Sequence, residues 1–249
     1  MLKKDSNTGQ GNGDMISTTL PRFFQPFQCD DIIRLGKNND GGYLVNSHDV
    51  FATDHLLSFG IGKDWSFEKD FVGIIDCPLD AYDKSLNYVT LADNMALKDS
   101  YNKFFTGNRK HIEKNIGPSV DDVGFDVFDL PDNTFLKCDI EGSEYDILDD
   151  IIIRSKKFTG MVLEFHEVEH QENFFRIVDF MSKIDQKLIH IHINNWWYFI
   201  TDDGGCVPSC IEMTFSSSPN ISLNKKLTLP HKLDMKNNPD GKLIQIAFN

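Results

Sequence analysis

The sequence lacks any run of eighteen apolar residues, which is the length that a membrane-spanning helix requires. Its opening, MLKKDSNTGQGNGDMIST, also lacks the apolar core of a secretory signal. Basic residues are few: 25 Lys and Arg stand against 38 Asp and Glu, and the formal net charge is -13. Such a charge repels phosphate backbones. These absences predict a cytoplasmic protein that neither spans a membrane nor binds nucleic acid.

Cysteines are also few, and their odd number argues against a disulfide framework in a chain of 249 residues. The five are Cys29, Cys77, Cys138, Cys206 and Cys210. Cys206 and Cys210 enclose three residues rather than the two typical of ribbon-type zinc sites, and no second pair lies nearby. We expect reduced thiols, with metal binding by this pair as the alternative.

The chain is organised as a polar opening followed by one domain. The opening is rich in Gly, Asn and Ser and predicts a disordered tail over 1–15. From there, strand-like runs alternate with helical periodicity, so we expect a single α/β domain over 16–249 with a largely parallel sheet and a cap segment at about 16–50. Strands are predicted at 55–59, 78–82, 134–138, 160–165, 187–193 and 211–215, and the clearest helix at 172–184.

One stretch, LEFHEVEH at 163–170, contains the letters of a zinc metalloprotease helix. That site needs His166 and His170 on one helical face. The preceding residues instead form an apolar run after a glycine and predict a buried strand that ends at His166. Ligands bind beyond the carboxyl ends of parallel strands, so His166 remains a candidate site residue.

A glycine turn follows the first predicted strand, in SFGIGKDW. Gly60 and Gly62 allow a tight turn and a close approach to a ligand before a helix begins at about Trp65 or Ser66. Trp65 occupies the place of the third glycine of a dinucleotide fingerprint, so a pyrophosphate site is not supported. Asp83 lies 21 residues after Gly62, where an acid can bind a ribose; Asp76 and Asp80 are the competing carboxylates.

Two further strand ends carry polar residues. FLKCDIEGSEYDIL places Asp139 and Glu141 in one turn before a helix, and such a carboxylate pair favours binding of a cation or of hydrogen-bond donors. In LIHIHINNWW, strand alternation places His190, His192 and Asn194 on one face and predicts a polar cluster.

Together these segments resemble the FkbM family of S-adenosylmethionine-dependent methyltransferases. The resemblance is carried by SFGIG, by the acid about twenty residues later, by VLEFH and above all by KCDIEGSE, which matches that family's Lys-x-Asp-[Ile/Val]-Glu-Gly-x-Glu. RLGKNNDGGYLV and LPHKLDMKNNPD are similar to segments that flank the core in a subset of the family. The resemblance implies a Rossmann-like class I fold, doubly wound, with seven mostly parallel strands of which the last is antiparallel.

The resemblance also implies O-methylation of a sugar, a glycan precursor or a related small metabolite, as in polysaccharide biosynthesis, and it implies residue roles. Gly60 and Gly62 would lie under the methionine part of the cofactor, Asp83 would hold its ribose, and Asp139 would lie near the methionine end or the reacting centre. The residues implied to bind the cofactor are Asp40, Gly41, Gly42, Ser58, Phe59, Gly60, Gly62, Asp83 and Asp139, of which 40–42 would form a loop that closes the pocket.

The chemistry leaves alternatives open, because the acceptor oxygen must lose a proton during in-line methyl transfer. His166 or His192 is the base, oriented by Asp139 and Glu141, or these groups together hold a divalent ion. Trp65, Trp196, Trp197 and Tyr198 could stack against a sugar. A zinc-dependent hydrolase that uses the HEVEH motif, with His166, His170 and Glu164 or Glu169, is one alternative function. A non-catalytic cofactor-binding or interaction protein is the other.

Overall fold

The computed structural model describes Lys3–Lys4 and residues 15–249. The tail predicted over 1–15 therefore lies mostly outside the described residues. Among those that are described, no helix is both long and apolar enough to cross a bilayer.

The chain forms many short strands and six α-helices within the described residues. The strands are β1 (Lys3–Lys4), β2 (Met15–Leu20), β3 (Phe27–Gln28), β4 (Ile32–Leu35), β5 (Tyr43–Asn46), β6 (His55–Phe59), β7 (Leu79–Tyr82), β8 (Arg109–Ile112), β9 (Thr134–Cys138), β10 (Phe158–His166), β11 (Lys187–Ile193), β12 (Tyr198–Ile200), β13 (Cys206–Pro208), β14 (Cys210–Ser216), β15 (Ser222–Lys226) and β16 (Leu243–Phe248). The helices are α1 (Ser47–Phe51), α2 (Ser66–Ile75), α3 (Tyr88–Ala92), α4 (Met95–Phe104), α5 (Leu148–Ile153) and α6 (Gln171–Lys183).

Seven of the strands form the central sheet, in the order β11-β14-β10-β9-β6-β7-β8. The pairs from β10 through β8 are parallel, and β14 runs antiparallel to both of its neighbours. The last strand to enter the sheet is thus the reversed one. The predicted fold class, a Rossmann-like sheet of seven mostly parallel strands with an antiparallel last strand, is confirmed.

All six predicted strands are present, with small differences at their ends. β6, β9 and β11 have the predicted bounds, β7 begins one residue later, and β10 and β14 are longer than predicted. The predicted helix 172–184 is α6, shifted by one residue. The differences fall at the ends of these elements, because periodicity does not mark where hydrogen-bond pairing stops.

The sheet is covered on both faces, as a doubly wound fold requires. Strand alternation sends Leu56, Phe135 and Val162 to one face, where they pack with α2 and the β4–β5 hairpin. The residues between them face α5 and α6 on the other side, where the larger core lies. The hairpin falls within the predicted cap segment and approaches the carboxyl ends of the central strands.

A buried carboxyl group near the opposite end of β10 gives a test of this packing. Asp49, in α1, is only 2% exposed, and one of its oxygens has no hydrogen-bond partner among the described residues. Burial raises its pKa to about 7, against the opposing effect of hydrogen bonds from Ser216 and Ser218. A carboxyl group whose pKa is raised on folding contributes stability that is present below about pH 4 and is lost as the pH rises to about 7.

We therefore expect Asp49→Asn to flatten the pH dependence of stability. Between pH 4 and pH 8 the free energy of unfolding of the wild type should fall by roughly 2–4 kcal/mol more than that of the variant. Urea unfolding across this range measures the difference, with Asp99→Asn, at an exposed position in α4, as the control. Parallel curves for wild type and Asp49→Asn would contradict the expectation.

Candidate functional site

A cavity of about 560 Å³ opens at the carboxyl edge of the central sheet, where parallel strands commonly bind ligands. It is lined by Lys37, Asp40, Gly41, Tyr43, Gly60, Ile61, Gly62, Lys63, Asp64, Phe67, Glu68, Tyr82, Asp83, Ser85, Asn115, Ile116, Asp122, Lys137, Asp139, Ile140, Glu141 and Ser143. Another cavity, of about 520 Å³, lies between α5 and α6 and contains none of the predicted site residues. The edge cavity is therefore the candidate site.

The glycine turn after β6 is held in place by Asp83. One oxygen of Asp83 accepts hydrogen bonds from the backbone N–H groups of Ile61 (2.9 Å) and Gly62 (2.6 Å), and the other accepts from Ser85 and Leu86. Burial opposes the charge on Asp83, but these hydrogen bonds outweigh it and lower the pKa of the carboxyl. Asp83 thus shapes the loop, and the predicted bond to a ribose would require one of these donors to give way.

The glycine turn also lies directly against the acidic turn after β9. Gly60 has a φ of +73°, and a Cβ placed on it would lie 1.6 Å from the carbonyl oxygen of Asp139. The Asp139 N–H donates to the carbonyl oxygen of Phe59 over 3.0 Å. Only glycine permits this approach, so the two motifs that the sequence separates by some eighty residues share one wall of the cavity.

A buried lysine lies beneath this junction. Lys137 is 4% exposed, donates to the carbonyl oxygen of Gly60 and lies 3.6 Å from Asp139 Oδ2. Burial works against its charge, but Asp139, Glu68 and Glu164 raise its pKa, so the ammonium stays charged. It compensates carboxylates that would otherwise be buried unpaired.

His166, at the carboxyl end of β10, is surrounded by acids. Its Nδ1 lies 2.5 Å from Glu144 Oε1, and its Nε2 lies 3.6 Å from Glu141 Oε2 and 3.9 Å from both Asp139 Oδ1 and Glu164 Oε1. Burial lowers the pKa of the imidazole, but Glu144, Glu164 and Asp139 together raise it to about 9. The surroundings of His166 therefore favour a positive charge.

Glu164 is two residues before His166 on the same face of the sheet and is 5% exposed. It accepts hydrogen bonds from Tyr43 Oη (2.8 Å), Asn194 Nδ2 (2.9 Å) and Cys210 Sγ (2.9 Å). Burial and the charge of Asp139 raise the pKa of its carboxyl to about 7. Both of its oxygens are occupied, so it ties the β4–β5 hairpin and β14 to the edge of the site.

The HEVEH stretch is not a helix. His166 ends β10, Glu167 has a φ of +53°, and His170 is an exposed residue immediately before α6. The two histidines therefore do not share a helical face, and the metalloprotease arrangement required by the alternative hydrolase function is absent from these described residues.

His192 does not join His166. It lies on β11 with its side chain 11% exposed, and β14 lies between its strand and β10, which separates the two strands by about 10 Å. Its Nε2 contacts Asn237 Oδ1 (3.1 Å), and burial, against the opposing effect of Asp234, lowers its pKa to about 4. His190 and His192 instead fix the C-terminal segment through Asp234 and Asn237. The strand alternation is correct, but only Asn194, at the end of that face, reaches the site.

Other predicted residues take structural positions. Ser58 donates to Glu68 beneath the cavity, the ring of Phe59 packs on Tyr82 and Phe125, and Gly42 sits against the carbonyl oxygen of Lys37; none of the three lines the cavity. A second group also lies away from it. Asp76 pairs with Arg109, and Asp80 pairs with His55. Trp65 is buried against Tyr101 and Phe105, and Tyr198 is 2% exposed. Cys206 and Cys210 are separate buried thiols.

The structure thus assembles Asp40, Gly41, Gly60, Gly62, Asp83, Asp139 and Glu141 around one cavity, with His166 at its border. Sequence reasoning missed Tyr43, Glu144 and Glu164 as site residues, and it left Lys137 without a role. Lys137 and Glu164 could have been found, because each lies two residues before a candidate in the same strand and so shares its face. Strand alternation does not mark Tyr43 and Glu144, but Tyr43 lies in RLGKNNDGGYLV and Glu144 is the last acid of KCDIEGSE, two segments that carry the family resemblance.

Comparisons with known proteins agree with this geometry. A family model described as the Methyltransferase FkbM domain matches residues 26–188, well over half of the chain. A search of curated proteins found no match.

The solved structures that match the chain are distant from it in sequence. Precorrin-6y C5,15-methyltransferase from Geobacter metallireducens GS-15 is 14% identical over 66% of this chain and 80% of its own, with a TM-score of 0.39. M. jannaschii TYW2 in complex with AdoMet is 11% identical over 76% and 88%, with a TM-score of 0.37. An rRNA methylase from Streptococcus thermophilus is 8% identical over 69% and 95%, with a TM-score of 0.38.

The match of the family model covers the glycine turn, Asp83, the Lys137–Glu144 motif and His166, which are the residues that the fold brings to the edge cavity. The chain therefore belongs to the FkbM family of methyltransferases, enzymes whose cofactor is S-adenosylmethionine.

Proposed function

We propose that the protein transfers the methyl group of S-adenosylmethionine to a hydroxyl oxygen of a sugar, a glycan precursor or a related small metabolite, in the setting of polysaccharide biosynthesis. One observation carries the proposal: the glycine turn and the acidic turn share a single cavity, so that a cofactor held by the first presents its reactive end to the second.

The charge of the cavity supports this cofactor. Its lining contains the acids Asp40, Asp64, Glu68, Asp83, Asp122, Asp139 and Glu141 and the lysines Lys37, Lys63 and Lys137. An excess of acids attracts a cofactor that carries a sulfonium and an ammonium group and repels a dinucleotide pyrophosphate. The close turn at Gly60 provides the backbone approach that such a cofactor needs. The residues present thus fit S-adenosylmethionine.

When bound, S-adenosylmethionine supplies an electrophilic methyl carbon on a positively charged sulfur. The acceptor oxygen forms a bond to that carbon as the carbon–sulfur bond breaks, the electron pair remains on sulfur, and the hydroxyl proton must leave. We assign removal of its proton to the carboxylates of Asp139 and Glu141, and alignment of the oxygen to these groups and His166, which border the cavity at the ends of β9 and β10. Tyr43 contacts Asp139 and Glu164, and Glu164 accepts a hydrogen bond from Asn194. These contacts fix the positions of Asp139 and Asn194 beside the proposed catalytic groups.

The acceptor class follows from charge and from aromatic residues at the same edge. The net charge of -13 disfavours a nucleic-acid acceptor. Trp196 and Trp197, 43% and 47% exposed, follow Asn194, whose amide reaches Glu164. Half-exposed indoles suit the apolar face of a sugar ring. This supports a saccharide acceptor.

Two measurements test the proposal. Isothermal titration of the full chain with S-adenosylhomocysteine should show one site, and nicotinamide dinucleotide should not bind. Incubation with S-adenosylmethionine and a panel of monosaccharides, sugar nucleotides and oligosaccharides should then yield an O-methylated product with equimolar S-adenosylhomocysteine. Absence of cofactor binding, or methylation of nucleic acid alone, would refute the proposal.

A further inference from the structure

We propose that Asp139, Glu141 and His166 bind a divalent metal ion of the Mn²⁺ or Mg²⁺ class at the border of the cavity. The role of the ion in catalysis rests on the proposed function, because it would polarise the acceptor hydroxyl, but its binding does not.

Three ligand atoms converge on one point. Asp139 Oδ1, Glu141 Oε2 and His166 Nε2 all lie within 4.8 Å of one another, and the two contacts of Nε2 are 3.9 and 3.6 Å. Adjacent ligands around an ion with bonds of about 2.1 Å are separated by about 3 Å. Each of the two contacts of Nε2 therefore exceeds that separation by less than about 1 Å.

The remaining atoms of two ligands are already held by other residues. His166 Nδ1 lies 2.5 Å from Glu144 Oε1, and Glu144 is 1% exposed. Asp139 Oδ2 lies 3.1 Å from Tyr43 Oη, which shares its one proton with the nearer Glu164 Oε2, and 3.6 Å from Lys137 Nζ. Asp139 Oδ1 and His166 Nε2 receive no hydrogen bond from the described residues and face each other. A histidine whose second nitrogen is bound to a carboxylate is the usual form of a metal ligand, since that contact fixes its ring orientation.

The third ligand depends on an unusual backbone conformation. Glu141 has a φ of +57° and is followed by Gly142 at +106°. A non-glycine residue in this region costs about 1 kcal/mol or more and persists where the surrounding structure imposes it. Here it places the carboxylate of Glu141, whose side chain is 87% exposed, 3.6 Å from His166 Nε2.

A second triad, formed by Glu164, His166 and Cys210, is a weaker candidate. The thiol of Cys210 donates to Glu164 Oε1, which also accepts from Asn194, and Tyr43 donates to Oε2. The ligand atoms of Glu164 and Cys210 are therefore already engaged in hydrogen bonds. One nitrogen and two carboxylate ligands leave positions for water and for an acceptor oxygen, which suits Mn²⁺ or Mg²⁺ better than a four-ligand structural zinc site.

Titration of the chelator-treated full chain with Mn²⁺, followed by electron paramagnetic resonance, tests the inference. The wild type should bind one ion, and Asp139→Asn and Glu141→Gln should weaken binding by at least about tenfold. Glu167→Gln is the matched control, because Glu167 is also an exposed glutamate with positive φ at a strand end, and it should bind as the wild type does.

Binding of S-adenosylhomocysteine, measured on the same samples, separates the two proposals. If the wild type binds S-adenosylhomocysteine but no stoichiometric Mn²⁺, or if Glu141→Gln binds Mn²⁺ as tightly as the wild type, the metal site is refuted and the proposed function stands. If Mn²⁺ binds and S-adenosylhomocysteine does not, the metal site stands and the proposed function fails.

Discussion

Replacement of Gly60 by alanine is expected to abolish binding of S-adenosylhomocysteine and to reduce the free energy of unfolding by about 3 kcal/mol or more. The added Cβ would lie 1.6 Å from the Asp139 carbonyl oxygen and 3.3 Å from the Ile140 side chain, on a backbone with φ of +73°. Because the neighbour is backbone, relief requires the ends of β6 and β9 to separate. That separation would move the glycine turn away from the acidic turn and so disrupt the cavity that the two turns line.

Gly62→Ala is the matched control for stability. Gly62 also has a positive φ, +50°, but no atom lies within 4 Å of its Cβ position. Its substitution should lower the free energy of unfolding by about 1 kcal/mol, because only the strain of a positive φ on alanine is added. Urea unfolding of both variants, with calorimetric titration of S-adenosylhomocysteine into Gly60→Ala, measures the two effects. Equal losses of stability would show that contact between the two turns is not what requires glycine at position 60.

The second large effect concerns His166. We expect His166→Asn to lower turnover by about 100- to 10,000-fold while binding of S-adenosylhomocysteine is retained. The asparagine amide occupies nearly the position of the imidazole Nδ1 and can still donate to Glu144, so the buried carboxylate keeps a partner. What the variant lacks is Nε2, the atom that faces Asp139 and Glu141.

His170→Asn is the control within the same five-residue stretch. His170 is exposed at the start of α6 and should be replaceable without effect on turnover. Rates of S-adenosylhomocysteine release, with a hydroxyl acceptor identified from the panel, provide the comparison. Wild-type turnover in His166→Asn would show that His166 takes no part in the reaction. Loss of turnover in His170→Asn would show that the site extends to the start of α6.

The sequence predicted the elements that depend on short-range patterns. Strand-like runs predicted all six strands, and the parallel strands end where polar side chains begin, because a buried parallel strand is apolar on both faces. The same reasoning found Gly60, Gly62, Asp83, Asp139 and Glu141, since each lies within three residues of the end of such a strand. It also placed His166 at a strand end and so favoured a strand over the helix that HEVEH suggests.

Predictions failed where a residue's role depends on distant parts of the chain. His190 and His192 lie on the predicted face, but β14 enters the sheet between their strand and β10, and this reversed strand keeps them from the site. Trp65, predicted as a stacking residue, is instead core, because α2 turns it towards Tyr101.

By itself, the sequence determined the α/β class, the strand ends and the carboxylates that follow them, because these depend on periodicity and on turns a few residues long. Only the tertiary structure decided which strand ends meet. The crossovers bring the turns after β6 and β9 into backbone contact, and the β4–β5 hairpin brings Tyr43 to Asp139 and Glu164. The physical reason is that the charge and hydrogen bonding of a buried group depend on neighbours in space, and the order of strands in a sheet is not encoded in any local pattern.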